Sequence, residues 1–167
     1  GGEWGQWGRA RLAERLRREG PQHLVNEPSG AIGYAVPFAL AAKLARPGAP
    51  VVAIAGDGAF GFYAPEIETA ARQGLGLVVL VGNDGRWGTE YHLQRARYGA
   101  DRVVAMDMLP ARYDRLAEAL GGVGELVERE EELRPALERA LAAADAGRPA
   151  VVNARIRSAP SPAGAPP

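Results

Sequence analysis

Two short runs of apolar residues dominate the pattern along the chain. They occupy residues 51–55 and 77–81, and each ends in a turn that contains Gly and Asp. Uninterrupted runs of this length, rich in Val, Ile and Leu, are typical of strands buried on both faces of a parallel sheet. The segment between them has helical spacing, with one apolar face formed by Ala64, Ile67, Ala70 and Ala71. This pattern predicts a strand–helix–strand crossover, in which the two strands run parallel.

The remaining pattern continues this alternation of helices and strands. An apolar stripe at Ile32, Val36, Leu40 and Leu44 predicts a helix. Pro37 fits within that stripe if the helix itself begins near Val36. Residues 9–19, 64–73, 111–120 and 128–146 predict four other helices, and residues 23–26, 124–127 and 149–156 predict three more strands.

Two of these helices have predicted inward faces, and one segment has no regular pattern. The inward positions of the two C-terminal helices are Tyr113, Leu116, Ala117 and Leu120 in the first, and Leu133, Ala136, Leu137, Ala140 and Leu141 in the second. Residues 89–108 are expected to be irregular. About five strands alternating with helices indicate an α/β fold, a doubly wound, mostly parallel sheet with helices on both faces.

Composition limits the class of protein. The chain has 167 residues, 47% of them hydrophobic, with 20 basic and 20 acidic side chains and no cysteine. This balance offers no footprint for nucleic acid or for a membrane surface, and disulfides are excluded. No apolar run approaches the roughly 18 residues of a membrane span, so a cytoplasmic location is expected. We expect one domain over residues 1–157, the last of a longer polypeptide, and a disordered Pro/Ala-rich tail over residues 158–167.

Two carboxylates follow the two central strands. Asp57 comes after the first strand and Asp84 after the second, so the crossover places both at the same edge of the sheet. A carboxylate repels phosphate unless a hard cation such as Mg²⁺ lies between them. Each motif alone is also typical of a plain turn, but the pair at crossover spacing favours a site for Mg²⁺ and a phosphate ligand. A P-loop is disfavoured because the chain has no GxxxxGK(S/T) pattern, and a dinucleotide-binding site is disfavoured as well.

Longer segments resemble a known family. GDGAFGFYAPEIETAARQGLGLVVLVGNDGRWG is similar to the diphosphate-binding domain of thiamine-diphosphate enzymes, in the group of acetolactate synthase, benzoylformate decarboxylase and benzaldehyde lyase. Its AFGF also resembles oxalyl-CoA decarboxylase. PSGAIGYAVPFALAAKLARP and GGEWGQW resemble the same group, so the resemblance covers nearly all of the chain up to about residue 157.

The resemblance implies roles for individual residues. Asp57 would be the first Mg²⁺ ligand, Asp84 the second, where the family usually has Asn, and Arg86 would contribute its backbone carbonyl. Asn83 would replace Asp84 as a ligand if the loop shifts by one residue. Ile32 would support the bent cofactor. The full set implied to contact the cofactor is Gly30, Ala31, Ile32, Gly56, Asp57, Gly58, Ala59, Asp84, Arg86, Trp87 and Gly88.

The resemblance also implies an activity and partners. The cofactors would be thiamine diphosphate and Mg²⁺, and the substrate a 2-keto acid or related acyl donor, for carboligation or decarboxylation. The activating glutamate would come from a pyrimidine-binding domain, in the same or a separate chain, normally across a homo-oligomer. Tyr91 and His92 would line the substrate side. The alternatives are the diphosphate-binding subunit of a split enzyme and a non-catalytic phosphate- or nucleotide-binding module.

Overall fold

A computed structural model describes residues 31–160 of the chain. The strands within these residues are β1 (Val52–Gly56), β2 (Val78–Asn83), β3 (Val123–Val127) and β4 (Ala150–Arg155). The α-helices are α1 (Ala35–Ala45), α2 (Asp57–Tyr63), α3 (Glu66–Arg72), α4 (Gly88–Tyr98), α5 (Tyr113–Ala119) and α6 (Glu130–Asp145). A 3-10 turn, Ala100–Arg102, follows α4.

The four described strands form one parallel sheet. Their order is β1-β2-β4-β3, and every pairing is parallel. Val81 lies beside Ala55 of β1 and beside Asn153 of β4. The carboxyl ends of β1, β2 and β4 therefore meet at one edge of the sheet, which we call the rim. The predicted α/β fold and parallel sheet are confirmed, while the predicted strand at 23–26 lies outside the described residues.

Apolar clusters cover the two faces of the sheet. On one face, α1, α2, α3 and α5 pack against the strands, and Phe60, Ile67 and Val79 are at most 1% exposed. On the other face α6 packs through a row of alanines, Ala136, Ala140 and Ala144. Complete burial of an aliphatic side chain contributes about 1.5–3 kcal/mol to folding. Helices on both faces agree with the doubly wound arrangement predicted from the sequence.

The first described helix begins close to its predicted position. Helix α1 starts at Ala35, which makes Pro37 the third residue of the first turn. An amide in the first turn has no intrahelical acceptor, so proline removes no helical hydrogen bond there. Val36 and Leu40 are buried as predicted. Ile32 lies before the helix and Leu44 is 63% exposed, so the ends of the predicted stripe were wrong.

Three other predictions are corrected by the structure. Residues 89–108 are not irregular throughout, because they include most of α4 and the 3-10 turn. Leu116 of α5 and Leu141 of α6 were predicted to point inward, yet both are more than one-third exposed. Helix α5 packs closely against β3, which leaves little room between them. A Cβ at Gly124 of β3, for example, would lie 2.1 Å from the carbonyl oxygen of Asp114.

No helix within residues 31–160 is long and apolar enough to cross a bilayer.

Candidate functional site

Asp57 lies at the rim, directly after β1, and is the first residue of α2. Its side chain is buried, and the residue is 3% exposed. Oδ1 accepts a hydrogen bond from the amide of Gly58 at 2.9 Å, and Oδ2 accepts one from the amide of Gly85 at 2.8 Å. The carboxylate therefore bridges the start of α2 and the loop that follows β2.

Asp84 is the second carboxylate of the rim and follows β2. Its Oδ1 accepts a hydrogen bond from the amide of Arg86 at 3.2 Å. Burial is the main cause that raises the pKa of Asp57, and the negative charge of Asp84 raises that pKa further. Backbone hydrogen bonds from Gly58, Gly85 and Arg86 act in the opposite direction but are outweighed. Two acids thus share one region in which the charge of Asp57 is poorly solvated.

These two carboxylates fit a divalent cation. Within residues 31–160, no Lys, Arg or His forms an ion pair with Asp57 or Asp84. No group of three or more His, Asp or Glu side chains in that part of the chain is placed to hold a metal by itself. One or two carboxylates completed by phosphate, carbonyl and water oxygens are the donor set that Mg²⁺ accepts. A cation here would relieve the repulsion between the two acids.

Asn83 is the alternative second ligand, and its side chain is already committed. It is 2% exposed, and Nδ2 donates to the carbonyl of Ala111 at 2.9 Å and to Oδ1 of Asn153 at 3.0 Å. Its Oδ1 accepts from the amide of Gly85 at 3.2 Å. These contacts hold Asn83 inside the domain, and they favour Asp84 as the side chain available to a cation.

A buried polar network supports Asn83, and sequence analysis missed it. Asn153 of β4 is fully buried, and its Nδ2 donates to Oδ1 of Asp114 at 3.1 Å. Arg112 forms an ion pair with Asp114, Nη2 to Oδ2 at 2.6 Å. Burial raises the pKa of Asp114, but the hydrogen bonds from Arg112 and Asn153 outweigh it and lower the pKa to about 2. The available signal was an Asn inside the apolar run at 149–156.

Arg86 directs its side chain away from the two acids. Its Nε pairs with Asp107, and its guanidinium lies 4.3 Å from the centre of the Tyr91 ring. The backbone of this loop also bonds to residues 106–108. The amide of Trp87 donates to the carbonyl of Met106, and the amide of Met108 donates to the carbonyl of Gly85. Sequence analysis missed this contact between the loop after β2 and residues 106–108. Because the Arg86 side chain is paired with Asp107, the backbone carbonyl of Arg86 is the atom that remains for a metal, as the resemblance implies.

Trp87 covers the start of α2. A Cβ at Gly58 would lie 2.7 Å from the Trp87 ring, so only glycine fits beneath it. Gly85 adopts a positive φ of 68°, which a residue with a side chain rarely adopts. A Cβ at Gly88 would lie 3.0 Å from Oδ2 of Asp84. Glycines at these positions let the loop and α2 approach each other closely.

The loop before α1 reaches the same region through aromatic contacts. A Cβ at Gly33, whose φ is 94°, would lie 2.9 Å from the Cβ of Phe62. Phe62 in turn packs edge-on against Trp87, with ring centroids 5.9 Å apart. The loop that carries Ala31 and Ile32 is thereby joined to the rim, and Ile32 remains 39% exposed. Gly30 lies outside the described residues.

The remaining predicted site residues lie at the end of β1 and on the helices that follow β1 and β2. Gly56 ends β1, and Ala59 is buried in the first turn of α2. Tyr91 and His92 lie on α4, where His92 Nε2 is 3.2 Å from Oγ of Ser158. The structure thus brings Asp57, Gly58, Asp84, Arg86, Trp87 and Gly88 together at the rim.

Comparison with known proteins gives consistent matches. The chain is 52% identical over 126 residues to a probable acetolactate synthase of Mycobacterium bovis, covering 75% of this chain and 22% of that protein. It is 36% identical over 135 residues to 2-hydroxyacyl-CoA lyase 1 of Mus musculus, again covering 75% and 22%. The chain thus spans about a fifth of the curated relatives it matches.

A solved structure has the same fold. It is a thiamine diphosphate-dependent 4-hydroxybenzoylformate decarboxylase of Rhodococcus jostii RHA1, with a TM-score of 0.68 and 26% identity over 80% of this chain and 24% of that one. The family model described as the C-terminal TPP binding domain of thiamine pyrophosphate enzymes matches residues 5–154. With the parallel sheet and its acidic rim, these matches show that the chain belongs to the family of C-terminal, thiamine pyrophosphate-binding domains of thiamine pyrophosphate enzymes.

Proposed function

We propose that this chain is the diphosphate- and Mg²⁺-binding part of an enzyme that acts on 2-keto acids or related acyl donors. The observation that carries the proposal is the pair of rim carboxylates with no side-chain cation among the described residues. Relatives named as acetolactate synthase and 2-hydroxyacyl-CoA lyase support the reaction class, which is the formation or cleavage of a carbon–carbon bond beside a carbonyl.

The proposal assigns each residue a binding role. Asp57 and Asp84 supply carboxylate oxygens to Mg²⁺, and Arg86 supplies its carbonyl. Gly58, which lies beneath the Trp87 ring, and Ala59 would offer backbone amides to the diphosphate. Bound thiamine diphosphate supplies an electron sink for the carbon–carbon bond that forms or breaks. This chain contributes the position of that cofactor, and the activating carboxylate is assigned to a pyrimidine-binding domain.

An exposed aromatic patch supports a partner domain beside the site. Phe38, Phe62 and Tyr63 are 40–57% exposed, and Phe62 and Tyr63 lie beside Gly33, the residue that follows Ile32. Large exposed apolar residues that cluster are typical of interaction surfaces. Phe62 also contacts Trp87, so the patch continues into the cofactor site. We assign this patch to the pyrimidine-binding domain, supplied by the same polypeptide or by a partner chain in a homo-oligomer.

The experiment is a calorimetric titration of the protein with thiamine diphosphate, with and without MgCl₂. We expect Mg²⁺-dependent binding, weakened at least about a hundredfold by Asp57→Ala. Changes beyond the direct ligands of a metal already cost 10–100-fold in affinity, so loss of a ligand should cost at least as much. Asp145→Ala, an exposed acid at the end of α6, is the matched control and should bind as the unaltered protein does.

Two results would contradict the proposal. Binding that is equally tight without Mg²⁺, or in the Asp57→Ala variant, would remove the metal from the site. Absence of binding at any cofactor concentration would favour the alternative of a non-catalytic module with a packing role. Recovery of a separate pyrimidine-binding chain on purification would favour the split-enzyme arrangement.

A further inference from the structure

A continuous chain of hydrogen bonds links the surface to the carboxylate proposed as a metal ligand. It begins at the ion pair of Arg112 with Asp114 and passes through the amide of Asn153 to the amide of Asn83. Asn83 Oδ1 then accepts from the amide of Gly85. That same amide donates to Oδ2 of Asp57. Beyond Arg112, the residues Asp114, Asn153 and Asn83 are each at most 3% exposed, so β2, β4 and α5 are joined by buried polar groups.

The charge at one end fixes the direction of every bond in this chain. An ionised carboxylate accepts hydrogen bonds but donates none. Asn153 therefore presents Nδ2 to Asp114, which leaves its Oδ1 for Asn83. Asn83 must in turn present Nδ2 to Asn153, which leaves its own Oδ1 for the amide of Gly85. The negative charge on Asp114 thus requires one orientation of the two buried amides, and the carbonyl of Ala111, which also only accepts, requires the same one.

The end of the chain is the loop that carries the proposed metal ligands. Gly85 lies between Asp84 and Arg86, and its amide is shared by Asn83 Oδ1 and Asp57 Oδ2. A reversed Asn83 amide would present a donor to that N–H, and the two would repel. The loop would then lose one of the contacts that hold it against Asp57. The carbonyl of Ala111 accepts hydrogen bonds from both Asn83 and Asn153 and so holds the two amides in this orientation.

We propose that Asn153 and Asp114 are positioning residues that hold the loop 84–86 in its metal-binding geometry, acting through Asn83. This inference rests on the proposed function. Neither residue lies among the residues assigned to the cofactor. Their effect on cofactor affinity therefore passes through the orientation of Asn83 and the amide of Gly85.

The experiment separates positioning from simple stabilisation by two substitutions at one buried position. Asn153→Leu removes both the donor to Asp114 and the acceptor for Asn83. Asn153→Asp restores both, because two adjacent carboxyl groups share one proton. The protonated carboxyl donates to Asp114, and its carbonyl oxygen accepts from Asn83. Val152→Ala, at the adjacent buried position that faces α6, is the control for lost stability.

Two quantities are measured in the full protein at pH 6. One is hydrogen exchange of the amides at 83–88 without ligands, and the other is the Kd for thiamine diphosphate with MgCl₂. Asn153→Leu is expected to speed that exchange and raise that Kd, each about tenfold, in the range of changes around a metal's direct ligands. Asn153→Asp should stay within about threefold of the unaltered protein. Val152→Ala should lower the Tm and leave both quantities unchanged.

The outcomes distinguish this inference from the proposed function. If Asn153→Leu lowers the Tm but changes neither quantity, Asn153 has a structural role only and the inference is wrong. If the unaltered protein does not bind the cofactor, the proposed function fails, and the exchange of 83–88 still decides whether Asn153 orders the loop. If neither Asn153 variant folds, Asp114→Asn replaces them. It should change both quantities about threefold, and no change would overturn the inference.

Discussion

Asp57 and Asp114 are equally buried, each at 3% exposure, but the groups that contact their carboxylates differ. Asp114 has a guanidinium and a side-chain amide as partners, and its pKa is lowered to about 2 despite burial. Asp57 has backbone amides and a neighbouring acid, and burial together with that acid raises its pKa. One carboxylate is neutralised by the domain itself. The other has no cationic side chain paired with it among the described residues.

This difference separates a structural acid from the acid that we propose as a metal ligand. A buried charge without a partner of opposite sign costs free energy of folding, which is retained where function requires it. Asp114 stabilises the native state and orients Asn153. Burial and the charge of Asp84 disfavour the ionised form of Asp57, and a cation would stabilise it. Burial alone does not distinguish the two, whereas the identity of the hydrogen-bond donors does.

The largest expected effect is the loss of the Asp114 contribution in acid. Its pKa falls from an ordinary 3.8 to about 2 on folding, so it stabilises the native state by about 2 kcal/mol at neutral pH. That stability is present above pH 3.8 and disappears as the pH falls through 2. Urea unfolding of the unaltered protein and Asp114→Asn should therefore give free energies that converge from about pH 5 downward. A difference that stays constant with pH would contradict this.

A smaller effect is expected when the acid next to Asp57 is neutralised. Asp84→Asn removes one of two negative charges, so binding of Mg²⁺ alone should weaken about tenfold, or about 1.4 kcal/mol. The substitution also lowers the pKa of Asp57 toward its ordinary value. A raised pKa in the native state destabilises it at a pH above that pKa, so the metal-free variant should be more stable than the unaltered protein at pH 7. Calorimetry with MgCl₂ and no cofactor measures the first effect. Unchanged Mg²⁺ affinity would remove Asp84 from the ligands, and Asp101→Asn, an exposed acid, is the control.

The smallest effect is expected at an acid that resembles Asp114 in pairing but lies nearer the surface. Glu125 of β3 forms two hydrogen bonds with Arg139, at 2.8 and 2.7 Å, and the Arg139 side chain is 59% exposed. Exposed pairs contribute less than about 1 kcal/mol. Glu125→Gln should therefore change the free energy of unfolding by less than that, measured in urea at pH 7. A loss as large as that of Asp114→Asn would show that pairing, rather than burial with pairing, sets the size of the effect.

The sequence was sufficient to locate the rim acids but not the network behind them. The runs at 51–55 and 77–81 are uninterrupted, so their strands and the positions of Asp57 and Asp84 follow from local pattern. Helix α4 was missed because none of its residues is buried, so it has no apolar face to detect. The partners of Asn153 come from α5 and from β2, and local periodicity carries no information on such distant contacts.

The sequence also does not decide whether Asp84 or Asn83 is the second metal ligand. The two residues are adjacent, and either side chain type suits a metal. Only the tertiary contacts of Asn83, with Ala111 and Asn153, commit its side chain elsewhere. The assignment of Asp57, Asp84 and Arg86 as ligands remains a prediction for the titrations to test.

The amide of Gly85, shared by Asp57 and Asn83, has a consequence for exchanging parts between related proteins. A recombined chain that takes its metal loop from one parent and its last strand from another would pair Asn83 with a new neighbour at position 153, 70 positions away. Recombination at a single point between positions 83 and 153 would separate these two residues, although each fragment would keep its own strands and helices. The exchangeable unit at this rim consists of three strand ends together.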